Sequence, residues 1–135
     1  MHVESIMTEP VHCVGPEVTL AELRGIFKRV RYHHILVAQD NQLLGIISDR
    51  DVLRMSSPYL DSADATVHDQ SLLDNKAQTI MSTTLITAKK DTLIDAAAIL
   101  LLEHNISCLP VVSTNGDIEG ILTWKDMLKY YVYVR

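Results

Sequence analysis

The chain states one pattern twice, in the same order, about half its length apart. Ile6-Met7-Thr8 returns as Ile80-Met81-Ser82, Thr19-Leu20-Ala21-Glu22 as Thr92-Leu93-Ile94-Asp95, and Gly45-Ile46-Ile47-Ser48-Asp49-Arg50-Asp51 as Gly120-Ile121-Leu122-Thr123-Trp124-Lys125-Asp126. The offset is 74 residues at Met7, 73 at Thr19 and 75 at Asp51, so single-residue gaps bring the copies into line. A repeated unit of this size cannot bury its apolar faces alone; it buries them against its twin, and a site built by one copy is expected again in the other.

Each copy reads as strand, helix, strand, strand, helix, an α/β pattern. In the first copy a short strand over Val11 to Val14 is closed by Gly15-Pro16, and Thr19 then starts a helix with Leu20, Leu23, Phe27 and Val30 at helical spacing. Thr19 with Glu22 has the form of a capping box, and Thr92 with Asp95 a shorter-armed version. Two strands follow, His34 to Ala38 and Leu43 to Ile47, turning at Asp40-Asn41. The second pair, Leu109 to Val112 and Ile118 to Leu122, turns at Asn115-Gly116, a stronger hairpin signal. Closing helices are expected to begin near Ser48 and Thr123. The second long helix, Thr92 to His104, is apolar nearly all round and is expected to be the more buried, packed on its twin and on a partner subunit. The repeats occupy residues 1–56 and 76–135. A connector over 57–75 holds four acids and no Lys or Arg, with one helical turn expected around Leu72-Leu73.

At 135 residues, 47% hydrophobic and 21% charged, the chain has a globular composition and a size that buries a core without disulfides. Its longest apolar run, Ala96 to Leu102, is too short to span a bilayer. Met1-His2-Val3-Glu4-Ser5 lacks the basic start and apolar stretch of a signal peptide, so the cytoplasm is the expected compartment and Cys13 and Cys108 are expected to be reduced. The net charge of −5 comes largely from the connector, and the bases are too scattered to form a nucleic-acid surface.

The block Gly-apolar-apolar-(Ser/Thr)-x-basic-Asp is the candidate site. Where strand turns into helix at Ser48 or Thr123, the hydroxyl lies beside free amides that favour a phosphate, and Arg50 or Lys125 adds a positive charge. Asp51 or Asp126, three residues after the hydroxyl, could accept both hydrogens of a ribose cis-diol. The same hydroxyl and carboxylate are also the two halves of a capping box, a role compatible with binding. Cys13 and Cys108 fall in expected strands, where buried thiols are inert. With no nucleophile elbow, Gly-rich phosphate loop or metal-ligand spacing, neither catalysis nor a metal site is expected.

With Ile106-Ser107-Cys108-Leu109-Pro110-Val111 ahead of Gly120-Ile121-Leu122-Thr123-x-x-Asp126, the duplicated pattern resembles a tandem pair of CBS domains, a Bateman module, over essentially the whole chain. The resemblance implies two β-α-β-β-α repeats related by a pseudo-twofold axis and packed through their small sheets, with two clefts that take adenosine compounds such as AMP, ADP, ATP or S-adenosylmethionine. It also implies pairing into homodimers. By resemblance, Ser48 and Asp51 would hold one ribose and Thr123 and Asp126 the other, and the segments Thr8 to Cys13, with Val11, and Ser82 to Ile86 would flank adenine. The family's His-Arg-Leu-Pro-Val strand is divided here: His33-His34-Ile35-Leu36-Val37 keeps basic side chains and lacks the proline, whereas Ser107-Cys108-Leu109-Pro110-Val111 keeps only the proline. The clefts are therefore expected to differ, with a phosphate held by His33 or His34 together with Arg50 or Lys125. Neighbours on a strand face opposite ways, so only one histidine should meet a ligand, and its contact would strengthen on mild acidification. Trp124 is read as packing. The expected function is a stand-alone regulatory sensor of an adenine nucleotide, acting on a partner protein in trans. The alternatives are an oligomerisation or docking module with vestigial clefts, and a sensor of S-adenosylmethionine.

Overall fold

The computed structural model describes residues 1–134. Its elements are β1 (Cys13–Val14), α1 (Leu20–Arg29), β2 (His34–Gln39), β3 (Gln42–Ser48), α2 (Asp49–Met55), α3 (Val67–Ser71), α4 (Ala77–Ile80), α5 (Ile94–Glu103), β4 (Cys108–Val112), β5 (Ile118–Thr123) and α6 (Trp124–Lys129), followed by a π-helical turn over Tyr130–Val134. The mixed α/β class with small sheets is the one expected.

The compact units do not coincide with the repeats. One unit is Met1–His12, Asn41–Leu43 and Leu85–Arg135; the other is Cys13–Asp40 and Leu44–Thr84. The lead-in of the first repeat thus packs on the strands and helices of the second, and the lead-in of the second packs on those of the first.

In the unit built around the first repeat, a three-stranded sheet has the order β1-β2-β3, with β1 parallel to β2 in the register Cys13↔Leu36 and Val14↔Val37. Ser82 pairs antiparallel with Ile46 of β3, exchanging backbone bonds of 2.9 and 3.1 Å. Leu20, Leu23, Val37, Ile47, Val52 and Ala77 form its core. In the other unit β4 and β5 pair antiparallel from Cys108↔Thr123 to Val112↔Ile118, with Ala88 parallel to Val111 and Thr8 antiparallel to Ile121. Its core is Val3, Ala88, Ile94, Ala97, Leu101, Leu109, Val111, Leu122 and Met127.

These pairings give the true alignment of the copies. The bridge Thr19↔Lys76 has its counterpart in Leu93↔His2, and Val14↔Val37 in Ala88↔Val111, so an offset of 74 holds from the start of the chain to the end of β4. The counterpart of Thr19 is therefore Leu93, and the apparent match to Thr92 is one residue out. This accounts for the expected cap that fails. The N-cap of α5 is Leu93 with no side-chain bond, while the Thr92 hydroxyl accepts from the Lys89 N–H at 2.9 Å and Asp95 accepts from the Tyr131 hydroxyl at 2.6 Å. At Thr19 the hydroxyl does accept from the Glu22 N–H at 3.3 Å, but the Glu22 carboxylate takes the Thr19 hydroxyl hydrogen rather than closing the box on the backbone.

The single gap lies in the hairpin. Asp40 and Asn41, at φ 52° and 62°, make a two-residue turn of the kind whose twist suits a hairpin. The second hairpin, read as the stronger signal, is instead a wider loop in which Gly116 alone takes positive φ, at 87°, and the Ser113 N–H bonds the Asp117 carbonyl at 2.8 Å. A bulge at Val111/Val112 takes up the irregularity.

Other expectations are corrected locally. The strand expected over Val11 to Val14 pairs only at Cys13–Val14, because the preceding chain is committed to Ile121 at Thr8. Cys13 is exposed rather than buried: β1 is an edge strand that turns Val14 inward and Cys13 outward. Helix α5 buries Ile94, Ala97 and Leu101 but leaves Ile99 and Leu102 exposed at 52% and 64%. The connector holds more structure than one turn, since Thr66 and Asp69 close a capping box on α3 ahead of a 3-10 turn at Leu72–Asp74. Among the described residues no helix is long and apolar enough to cross a membrane.

Burial pushes the Cys108 thiol up to about 12. Partial desolvation raises the Cys13 thiol as well, so access sets the contrast between the two. Ellman's reagent on the native protein should titrate one thiol, Cys13, and reach Cys108 only on unfolding; two equal rates would contradict this packing.

Candidate functional site

Both copies of the block fold as a strand running into a short helix, and both close the capping box. At the first corner the Ser48 hydroxyl accepts from the Asp51 N–H at 3.1 Å and the Asp51 Oδ2 accepts from the Ser48 N–H at 2.8 Å. At the second the Thr123 hydroxyl accepts from the Asp126 N–H at 3.3 Å and the Asp126 Oδ2 accepts from the Thr123 N–H at 3.0 Å. Such caps are worth about 1 kcal/mol each, so structure alone accounts for the hydroxyl, the carboxylate and their spacing. Helices α2 and α6 have only seven and six residues, which leaves most of any phosphate attraction to Arg50 and Lys125, both exposed.

The corners part in what else reaches the carboxylate besides the cap. Asp126 receives the Thr8 hydroxyl, 3.1 Å from Oδ1 and 3.2 Å from Oδ2. The lead-in residue expected to flank a base therefore touches the carboxylate expected to hold a ribose. The equivalent Ser82 bonds Ile46 through its backbone, and its hydroxyl makes no hydrogen bond to Asp51 among the described residues. Oδ1 of Asp51 meets the Arg54 guanidinium instead, a residue the sequence reading did not single out. Its signal was the second base, three residues after the aspartate.

The two histidines lie in different surroundings, His33 just before β2 and His34 at its first position. The exposed His33 ring meets the Asp49 carboxylate at 2.7 Å, and the His33 carbonyl accepts the Asp49 N–H at 2.9 Å. His34 is half-buried at the same corner. Desolvation lowers its pKa, opposed by the charges of Asp49 and Asp51 and reinforced by those of His33 and Arg50. The strengthening of a phosphate contact expected on mild acidification would, at His34, fall at lower pH than an unperturbed imidazole gives. At the other corner the equivalent of the His33 contact is the Trp124 N–H donating to the Ser107 carbonyl at 3.1 Å, and the Trp124 indole, exposed rather than packed in a core, donates to the Ile106 carbonyl at 3.0 Å.

The structure groups Thr8, Val11, Ser107, Thr123, Lys125 and Asp126 in one unit and His33, His34, Ser48, Arg50, Asp51, Ser82 and Cys13 in the other. Ile86 falls in the first of these groups, where it packs on the core cluster around Val3 and Leu109. The sequence marked Met7 and Met81 as part of the repeat but gave them no partner. Met7 and Met81 lie so close over Gly120 and Gly45 that a Cβ at either glycine would come within 2.8 or 2.4 Å of the sulfur. This close approach explains why Ile-Met-(Thr/Ser) and Gly-apolar-apolar recur as a linked pair of blocks. No group of three or more potential metal ligands occurs among the described residues.

Two copies of a helix, a strand pair and a closing helix, each turning at a capped Ser/Thr-x-x-Asp, define a paired small α/β repeat protein. Residues 3–57 and 77–133 match the CBS domain, and the chain belongs to the CBS domain family. It is 32% identical over 126 residues to the homoserine O-acetyltransferase of Methanococcus vannielii, covering 93% of this chain and 24% of that protein. The crystal structure of protein MJ1225 of Methanocaldococcus jannaschii aligns at 26% identity with a TM-score of 0.83, over 97% of this chain and 48% of that one. CBSX2, crystallised in complex with AMP, aligns at 25% identity with a TM-score of 0.79, over 97% and 96% of the two chains. The chain thus spans a quarter to a half of the length of the first curated relatives it matches.

Proposed function

We propose that this chain is a regulatory module that binds an adenine nucleotide at the Asp51 and Asp126 corners and passes the signal to a separate protein as a homodimer. The observation that carries this reading is the contact between Thr8 and Asp126. One hydroxyl there donates toward both oxygens of a carboxylate already oriented by its cap. A ribose cis-diol offers the same chemistry with two donors. AMP bound to CBSX2, a neighbour of nearly equal length, supports an adenosine ligand of this type. Arg50 and Lys125, exposed one residue before each aspartate, supply charge for a phosphate.

Thermal unfolding tests the reading with AMP, ADP, ATP and S-adenosylmethionine, each at about a hundred times a plausible Kd. A bound ligand should add roughly 2.7 kcal/mol, a rise of several degrees. The rise should disappear at the working corner in Asp51→Ala or Asp126→Ala. A shift with S-adenosylmethionine alone would change the ligand and keep the site; no shift with any compound would remove the reading.

One observation favours a second reading, an assembly module. Ile99 and Leu102, one turn apart on α5, are exposed, as are Leu128 and Val132 near the end of the chain. Self-association that ignores nucleotide and survives both aspartate substitutions would favour it.

A further inference from the structure

We infer that Arg54 selects for an anionic ligand at the Asp51 corner, a role that rests on the nucleotide-binding reading above. The two aspartates hold the same place in the repeat and both close a capping box, and they differ in what reaches Oδ1, the oxygen that the box leaves over. At Asp126 it is a neutral hydroxyl from Thr8; at Asp51 it is the guanidinium of Arg54. Lys129 occupies the place of Arg54 in the second copy, and no ion pair joins it to Asp126 among the described residues.

A diol that takes Asp51 displaces Arg54 from Oδ1. The Asp51 side chain is only 19% exposed, so it stays where the cap holds it, whereas the Arg54 side chain is 73% exposed and no packing resists its departure. What the displaced cation meets next decides the ligand. A neutral nucleoside takes its partner and offers none in return. A nucleotide brings a phosphate, for which a guanidinium is a matched, charge-assisted donor on a side chain long enough to swing from one end of a ribose to the other. Arg54 thus opposes binding of the nucleoside and assists binding of the nucleotide through one exchange of partners. The corner at Asp126, covered by a hydroxyl, has no such filter.

The test compares AMP with adenosine by isothermal titration in an Asp126→Asn background, which leaves the Asp51 corner as the site. The expected result in Arg54→Ala is weaker AMP and tighter adenosine, with the ratio of their affinities falling by about tenfold. Arg54→Lys should recover part of the ratio, since it keeps the charge and loses the paired donors. Circular dichroism and the unfolding midpoint confirm that each variant is folded. Binding of both compounds with an unchanged ratio overturns the inference and leaves the reading of the site intact. Failure of the wild-type protein to bind either compound overturns the reading and the inference together.

Discussion

Gly45→Ala should lower the unfolding free energy by about 2 kcal/mol, a large effect for one methyl group. The added Cβ would lie 2.4 Å from Sδ, 2.7 Å from Cγ and 2.9 Å from Cβ of Met81. The last of these is fixed to the backbone, so rotating the side chain cannot clear the clash, and the lead-in segment itself must retreat. That segment is held by the two backbone bonds between Ser82 and Ile46, and retreat stretches them. Met81→Ala removes two of the three close atoms. In a double-mutant cycle Gly45→Ala with Met81→Ala should therefore cost less than the sum of the single changes, by roughly 1 kcal/mol. Additive costs, measured by urea unfolding, would mean that the methionine does not seat on the glycine. Gly120→Ala should be the milder change, because its nearest neighbour, the Met7 sulfur at 2.8 Å, is the movable end of a side chain, though the Thr8 carbonyl at 3.1 Å leaves little slack.

Much of the fold was legible because its signals are local and doubled. The helix over Leu20–Arg29, the strands flanking Asp40-Asn41 and the starts of both closing helices follow from spacing, turn residues and capping residues within a few positions. Errors came where a side chain had two partners to choose from. Thr92 and Asp95 have the spacing of a cap, yet the threonine closes the preceding turn and the aspartate holds Tyr131, a residue 36 positions away that no local rule could supply. Asn115-Gly116 is a strong hairpin signal that lost to a bulge and one extra residue. At the candidate site the hydroxyls and carboxylates were readable as a capping pattern. Their second partners, Thr8 for Asp126 and Arg54 for Asp51, required knowing which lead-in meets which strand. The near-identical lead-ins, Ile6-Met7-Thr8 and Ile80-Met81-Ser82, carry no mark of where they dock, so the exchange between copies was invisible until the backbone pairings were known.

That exchange gives deletion of residues 1–8 an outcome that chain order would not suggest. Removing the start of the first repeat should destabilise the unit containing the second repeat by about 4 kcal/mol and leave the other unit close to intact. Val3 is fully buried in the cluster with Leu109 and Leu122, and its loss alone is worth about 2 kcal/mol. The rest comes from backbone. The Val3 N–H bonds the Thr92 carbonyl at 2.8 Å, the Ile94 N–H bonds the Met1 carbonyl at 3.1 Å, and Thr8 exchanges bonds of 2.8 and 3.0 Å with Ile121. Groups released to water regain part of that energy, so each bond contributes only about 1 kcal/mol or less. Lys90, set between Glu4 at 3.5 Å and Glu119 at 3.6 Å, loses one of its two acids. Amide hydrogen exchange reads the result by position: protection should fall at Leu109, Val111 and Leu122 and persist at Leu23, Val37 and Ile47. The reverse pattern, with loss concentrated between Leu20 and Ile47, would mean that the lead-in serves its own repeat. The expected pattern also ties the proposed ligand site to folding, because the same deletion takes Thr8 from Asp126 and leaves the second corner without the hydroxyl that covers its carboxylate.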